Sequence, residues 1–152
     1  MSNPIAIFFD LGDTLVIPQF GTDGALAALQ PLPFVSEVLD RVRNDGTGAA
    51  PHRLGVMSNT PATATTASMK KLLARAGLFS RFEPALLLYS SVEGHTKSEK
   101  AFFTLAASRA GVAASRCIFV GEDAKERETA ASAGFQVSFH PLHLFHVLRQ
   151  IP

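Results

Sequence analysis

The sequence predicts an α/β fold: a three-layer, doubly wound parallel sheet of about five strands, Rossmann-like in its winding. Three observations predict it. Short, continuously apolar runs alternate with longer amphipathic ones, and continuous apolarity marks strands buried on both faces. Glycines close the amphipathic runs, at Gly77, Gly111 and Gly134, where a helix needs a residue tolerant of left-handed geometry. The length of 152 residues, 47% apolar and 18% charged, suits one domain over residues 1–152 with a substantial core and excludes wholesale disorder.

The elements follow in order. Residues 5–9 are a buried-strand run ending at Asp10. Residues 33–43 place Phe34, Val35, Val38, Leu39 and Val42 at helical spacing, and residues 44–48, rich in Asn and Gly, stop the helix. Residues 53–57 form a second strand ending at Ser58 and Asn59, and residues 63–76 a helix. Residues 85–89 are a third strand; residues 98–110 are a helix with Glu99 in its first turn. Residues 117–120 make a fourth strand, followed by a helix to residue 133, and residues 135–139 make a short fifth. Pro141 opens a last helix, at a position where its missing N–H is harmless. Residues 18–32, with Gly21, Gly24 and Pro31, are the least structured stretch and read either as a flap over a site or as a plain connection. Right-handed crossovers between parallel strands wind such a pattern in both directions from the first strand.

Composition excludes several functions. A formal net charge of +1 leaves no electrostatic footprint for nucleic acid or an anionic membrane. Trp is absent and Tyr occurs once, against 12 Phe, so aromatic residues belong to the core rather than to a base-stacking platform. The lone Cys117 permits no intrachain disulfide. No apolar run approaches the roughly 20 residues of a bilayer span, and the start lacks the basic flank and cleavage site of a signal peptide. A cytoplasmic protein without membrane or nucleic-acid partners is the expectation.

In doubly wound sheets ligands sit beyond the carboxyl ends of the strands. Asp10, Gly12, Asp13 and Thr14 follow the first strand, Ser58 and Asn59 the second. Lys97 precedes the helix after the third, and Gly121, Glu122, Asp123 and Glu126 follow the fourth. A carboxylate, a hydroxyl, an ammonium and an acid cluster on one rim suit phosphoryl transfer. Asp10 can attack phosphorus, carboxylates can hold Mg²⁺, and Lys97 and Ser58 can bind phosphoryl oxygens as charge develops. Each feature alone has an ordinary explanation: Asp10 as a turn cap, Ser58 and Asn59 as a helix cap, Lys97 as a solvated lysine, and the acids as complements to a helix dipole. Likewise His140, His143 and His146 read as helix surface rather than a metal site, and Arg127 as solvated.

The ordered set carries a resemblance. FFDLGDTLV (residues 8–16) resembles the first motif, DxDxT, of the haloacid dehalogenase superfamily; VMSNT (56–60) resembles the second; GHTKSEKAFF (94–103) the third; and FVGEDAKERETAASAGF (119–135) the fourth, of form GDxxxD or GDxxxxD. The resemblance implies a Mg²⁺-dependent phosphatase-type hydrolase acting on a phosphorylated small molecule or a larger phospho-substrate. Asp10 would be nucleophile and metal ligand, with the Gly12 carbonyl also facing the metal. Ser58 and Lys97, flanked by Thr14 and Asn59, would hold the phosphoryl group, and Glu122 or Asp123 would complete the metal site. Neither residues 15–57 nor residues 59–96 leave room for the folded cap that many members carry, so a capless core is expected.

Two departures stand out. The family's second aspartate, the general acid and base of its phosphatases, falls on Gly12. Asp13 is the nearest substitute, although strand alternation aims it away from Asp10. Glu122 and Glu126 replace aspartates in the fourth motif, and Asp123 serves as ligand instead if the loop shifts by one residue. An alternative reading is a degraded domain that keeps phosphate or metal binding for a regulatory role; dehalogenation is a remoter one, because its enzymes enclose the substrate with a cap.

Overall fold

The computed structural model describes residues 4–45 and 51–152; the expected helix stop at residues 44–48 lies partly outside them. Five strands form one sheet in the order β5-β4-β1-β6-β7: β1 (Ala6–Phe9), β4 (Arg53–Ser58), β5 (Leu87–Tyr89), β6 (Cys117–Val120) and β7 (Gln136–Ser138). Every pairing is parallel, with Ala6 level with both Arg53 and Cys117. The central β1 is buried along its whole length, which is why its sequence is apolar at every position rather than alternating.

Alternation along the strands sorts the core into two layers. Ile7, Phe9, Leu54, Val56, Ile118 and Val120 face one layer, shared with α1 (Val35–Asn44), α2 (Thr66–Arg75) and α6 (Leu144–Leu148). Ala6, Phe8, Met57, Cys117 and Phe119 face the other, shared with α4 (Lys100–Ala110) and α5 (Ala124–Ser132). There Phe103 meets Phe119 and Phe135 edge to face, at 5.2 and 5.5 Å between ring centroids, a favoured aromatic geometry. Gly55 is obligatory for this packing: a Cβ there would lie 2.5 Å from the Leu86 carbonyl and 3.0 Å from the Phe8 ring. The layers and the five parallel strands are those expected, and no separate cap is present. None of the helices is long and apolar enough to cross a membrane among the described residues.

Several boundaries differ from expectation for local reasons. Helix α2 begins at Thr66 rather than residue 63 because Thr65 and Ser68 close a reciprocal capping box. Strand β5 begins late because Pro84–Leu86 form a 3₁₀ turn. Helix α4 starts after Glu99, whose carboxylate accepts the Thr96 N–H at 3.1 Å instead of entering the helix. Pro141 does not open α6: a turn intervenes, pinned by the Ser138 hydroxyl donating to the His140 carbonyl at 2.8 Å and by the Leu142 N–H donating to His140 Nδ1 at 3.0 Å. A short helix, α3 (Ser90–Glu93), follows β5 without a periodic sequence signal.

The larger correction concerns residues 18–32. They are no irregular connection but most of an antiparallel ribbon, β2 (Val16–Phe20) and β3 (Leu26–Pro31), with a bulge between Gln19 and Phe20. The ribbon turns at residues 21–24, where Gly24 takes φ +78° and Asp23 accepts the Ala25 N–H at 3.0 Å. Pro18 and Pro31 hid it, since proline argues against a strand interior. A two-stranded ribbon has free edges on both sides, and there a missing N–H goes unnoticed.

Tyr89 is 1% exposed and its hydroxyl has no hydrogen-bond partner among the described residues; burial also pushes its ionisation upward. A buried hydroxyl without a partner carries a desolvation cost of about 1–3 kcal/mol. Tyr89→Phe should therefore leave stability unchanged or raise it by about 1 kcal/mol in urea unfolding. A loss above about 1 kcal/mol would show that the hydroxyl is bonded in solution.

Candidate active site

The carboxyl ends of β1, β4 and β6 converge at the point where the winding reverses, and the polar residues of the chain's interior collect there. Asp10 follows β1 directly, and its N–H continues the ladder to the Val120 carbonyl at 2.9 Å. Its carboxylate is buried. One oxygen, Oδ1, pairs with Lys97 Nζ, and the other, Oδ2, accepts the Thr14 hydroxyl at 3.3 Å. Lys97, 3% exposed, also meets Glu126 Oε1 at 2.8 Å, and its Nζ lies 5.8 Å from the centre of the Phe119 ring. One ammonium thus serves two carboxylates brought from different strands.

Local chemistry places each partner. Asn59 Oδ1 accepts the Lys97 backbone N–H at 2.9 Å, anchoring the lysine's loop to the end of β4. Thr60 is stapled to α3: its N–H donates to Ser90 Oγ at 2.8 Å, and its hydroxyl lies 2.7 Å from Ser91 Oγ. Gly121 lets β6 turn beside Asp10, because a Cβ there would lie 2.7 Å from the Phe119 ring and 3.5 Å from Asp10 Cβ. Arg127, expected in solvent, donates to the Gly121 carbonyl at 2.8 Å and fixes the same turn. Ser58 is buried, yet its hydroxyl has only a 3.5 Å contact with the next residue's carbonyl, so its donor is available to a ligand.

The rim opens into a cleft of about 220 Å³. Asp10, Gly12, Ser58, Asn59, Lys97, Glu122 and Glu126 line its polar side, and residues of the β2–β3 ribbon and α2 line the other. Of the expected site residues, the structure brings together Asp10, Gly12, Thr14, Ser58, Asn59, Lys97 and Glu122. It does not bring in Asp13 or Asp123. Residues 11–16 wind into a tight turn in which the Leu11 carbonyl accepts three N–H groups, from Thr14, Leu15 and Val16. Asp13 takes φ +61°, the one non-glycine residue so placed among the described residues. The turn that swings Thr14 back onto Asp10 leaves the Asp13 side chain exposed and off the cleft wall. Asp123 caps α5, accepting the Glu126 N–H at 2.9 Å; its carboxylate serves the helix. Glu126, in the first turn of α5, is instead the acid that reaches Lys97. Its spacing four residues beyond Glu122 was the available signal.

The site carries more negative charge than its one ammonium offsets. Glu122 is raised above the ordinary carboxylate range by burial, then by the charges of Asp10, Asp123, Asp13 and Glu126. Burial also raises Glu126, against the opposing pull of Lys97. A divalent cation would relieve that excess. No three His, Cys, Asp or Glu side chains form a ready cage among the described residues, which does not suit a transition metal held wholly by protein. It does suit Mg²⁺, which is typically bound by one or two carboxylates and completed by water and substrate oxygens. The histidines form no such site: His143 Nδ1 lies 3.0 Å from the Ser138 hydroxyl and its ring stacks on Phe139 at 4.3 Å.

No protein-family model and no curated protein matches the sequence. Solved structures do. The chain is similar to a HAD-superfamily hydrolase, subfamily IA, from Geobacter sulfurreducens PCA, at 14% identity and TM-score 0.68 over 95% of this chain and 100% of that one. It is similar to a 2-haloacid dehalogenase from Pseudomonas syringae pv. tomato DC3000, at 16% identity and TM-score 0.70 over 97% and 99%. It also resembles a predicted phosphoglycolate phosphatase from Haemophilus somnus 129PT, at 25% identity and TM-score 0.57 over 72% of this chain and 43% of that one. The fold is that of the HAD-superfamily hydrolases.

Removing the shared ammonium would leave two carboxylates facing each other in a buried site. Lys97→Met should cost about 3–5 kcal/mol of unfolding free energy, the penalty for orphaning a buried charge. Adding Asp10→Asn to it should recover part of that loss, because coupled neighbours are not additive. Equal stability of Lys97→Met and the unsubstituted protein in urea would place the ammonium in solvent.

Proposed function

We propose that this HAD-fold chain is a phosphatase-type hydrolase, Mg²⁺-dependent, that works through an aspartyl-phosphate on Asp10. The observation that carries the reading is the Asp10 carboxylate itself, buried at the floor of an open cleft and held by Lys97 on one oxygen and Thr14 on the other. A carboxylate so fixed loses little freedom on attacking phosphorus, and positioning supplies much of the rate in phosphoryl transfer. Lys97 and the free Ser58 hydroxyl lie on the same wall and would bind phosphoryl oxygens as their charge grows. Asp10, the Gly12 carbonyl and Glu122 would hold Mg²⁺, which supplies charge neutralisation on the phosphoryl group.

The weak point of the machinery is proton transfer. Gly12 offers no acid to the leaving oxygen and no base to the water that must release Asp10, and Asp13 faces solvent. A general acid or base is worth about 10²–10⁴ in rate, roughly 3–5 kcal/mol. Leaving groups that depart as stable anions, aryl and acyl phosphates, escape most of the first penalty; alkyl phosphates bear all of it.

Two measurements test this. With Mg²⁺, p-nitrophenyl phosphate should be hydrolysed and glycerol phosphate hardly at all, while Asp10→Asn and chelation by EDTA should each abolish turnover. Equal rates on the two substrates would show that a proton donor has been overlooked. A chloride-releasing activity on haloacids that ignores EDTA would favour the dehalogenase reading. Separately, Gly12 has room: an added Cβ would meet only Pro18, at 3.8 and 3.9 Å. Gly12→Asp should raise glycerol phosphate hydrolysis by about 10-fold or more, within the range a general acid contributes. No gain from a folded Gly12→Asp protein would mean that the missing carboxylate is not what limits the reaction.

A further inference from the structure

The cleft's far wall has a chemistry of its own. It is built by the ribbon and the start of α2, and Val16, Pro18, Phe20, Leu26, Leu29 and Met69 contribute to it. None of these carries a charge. Residues 1–40 contain no Lys, Arg or His at all, so the ribbon cannot bring a cation to the rim. Among the described residues Lys97 is the one basic side chain that lines the cleft, and it is already shared between Asp10 and Glu126. Arg127, on the neighbouring helix, is tied to the Gly121 carbonyl and does not line the cleft. The opposite rim carries Glu122, with Asp13 and Asp123 exposed in the flanking loops.

From this asymmetry we propose that the cleft selects phosphate monoesters whose organic part is small, apolar and free of a second anionic group, and that it rejects carboxylated phosphates. The proposal rests on the phosphatase reading and adds the substrate class. Phosphate engages the polar floor. The organic part then lies against the ribbon, where an apolar group gains by leaving water. A carboxylate in the same place gives up its hydration against a wall that offers no basic side chain to pair with it. Such an unpaired charge amounts to about tenfold or more in binding. The volume of about 220 Å³, under the roughly 300–1,000 Å³ of pockets for drug-sized ligands, favours a single ring over a larger group.

Three aryl phosphates test it with little change in leaving group: phenyl phosphate, its neutral para-carbamoyl derivative and its para-carboxylate derivative. The first two should be turned over comparably, and the carboxylate with kcat/KM lower by about tenfold or more, mostly through KM. Phe20, 58% exposed and on the wall, permits the reverse change: Phe20→Lys should narrow the gap between carboxylate and amide. Equal or better turnover of the carboxylate overturns the proposal and leaves the phosphatase reading standing. No turnover of any of the three overturns the phosphatase reading. In that event the binding of phenylphosphonate against para-carboxyphenylphosphonate to the same protein, by titration calorimetry, decides the selectivity alone: a preference for the neutral ligand keeps it, and equal affinity removes it.

Discussion

One buried ammonium, that of Lys97, holds two carboxylates together and thereby shapes the candidate active site. Lys97, Asp10 and Glu126 come from three separate parts of the fold; Lys97 and Asp10 are buried and Glu126 is half-buried, so the two buried charges rely on each other. The arrangement holds only if β1 and β6 stay in register, if Gly121 lets the β6 loop pass Asp10, and if Asn59 keeps the lysine's loop against β4. The Asp123 cap sets where α5 begins and therefore which residue of its first turn reaches inward. Core packing, turn chemistry and capping thus all act on one charge cluster, and what they leave over is a local excess of negative charge that a hard cation would offset.

The buried strands were legible because burial on both faces leaves a run of consecutive apolar residues, as at residues 5–9, 85–88 and 117–120; the edge strand β7, only partly buried, carries no such run. Residues 117–120 are the clearest case, with sequence and structure agreeing at both ends. Asp10 and Ser58 close two of the strand runs and Lys97 lies in the loop ahead of the next helix, so the sequence predicts the three on one rim. The ribbon β2–β3 escaped because its signals are negative ones. Two prolines and a bulge break the alternation that a hairpin usually shows, and only the absence of neighbouring strands makes them acceptable.

Side-chain direction in a turn is not set by strand or helix periodicity, so the sequence names the loops of the candidate site but not which acid of each loop faces the cleft. Asp13 and Asp123 have the correct chemistry in the correct loops. The first itself takes the left-handed conformation, in a turn whose single Leu11 carbonyl accepts three N–H groups; the second is engaged in capping a helix. Glu126 lies deeper in the same sequence motif, and helical phase brings it to Lys97. Nothing in the composition of residues 122–126 distinguishes the acid that caps from the acid that pairs; the position of the helix start does.

As the proposed nucleophile, Asp10 must carry the phosphoryl group during turnover. Acid quenching the protein while it turns over an aryl phosphate with Mg²⁺, followed by peptide mapping, locates that group. It is expected on the peptide containing Asp10 and on no other, persisting for want of a base at position 12. Steady product release with a phosphoryl group on another residue, or on none at any quench time, would contradict that role.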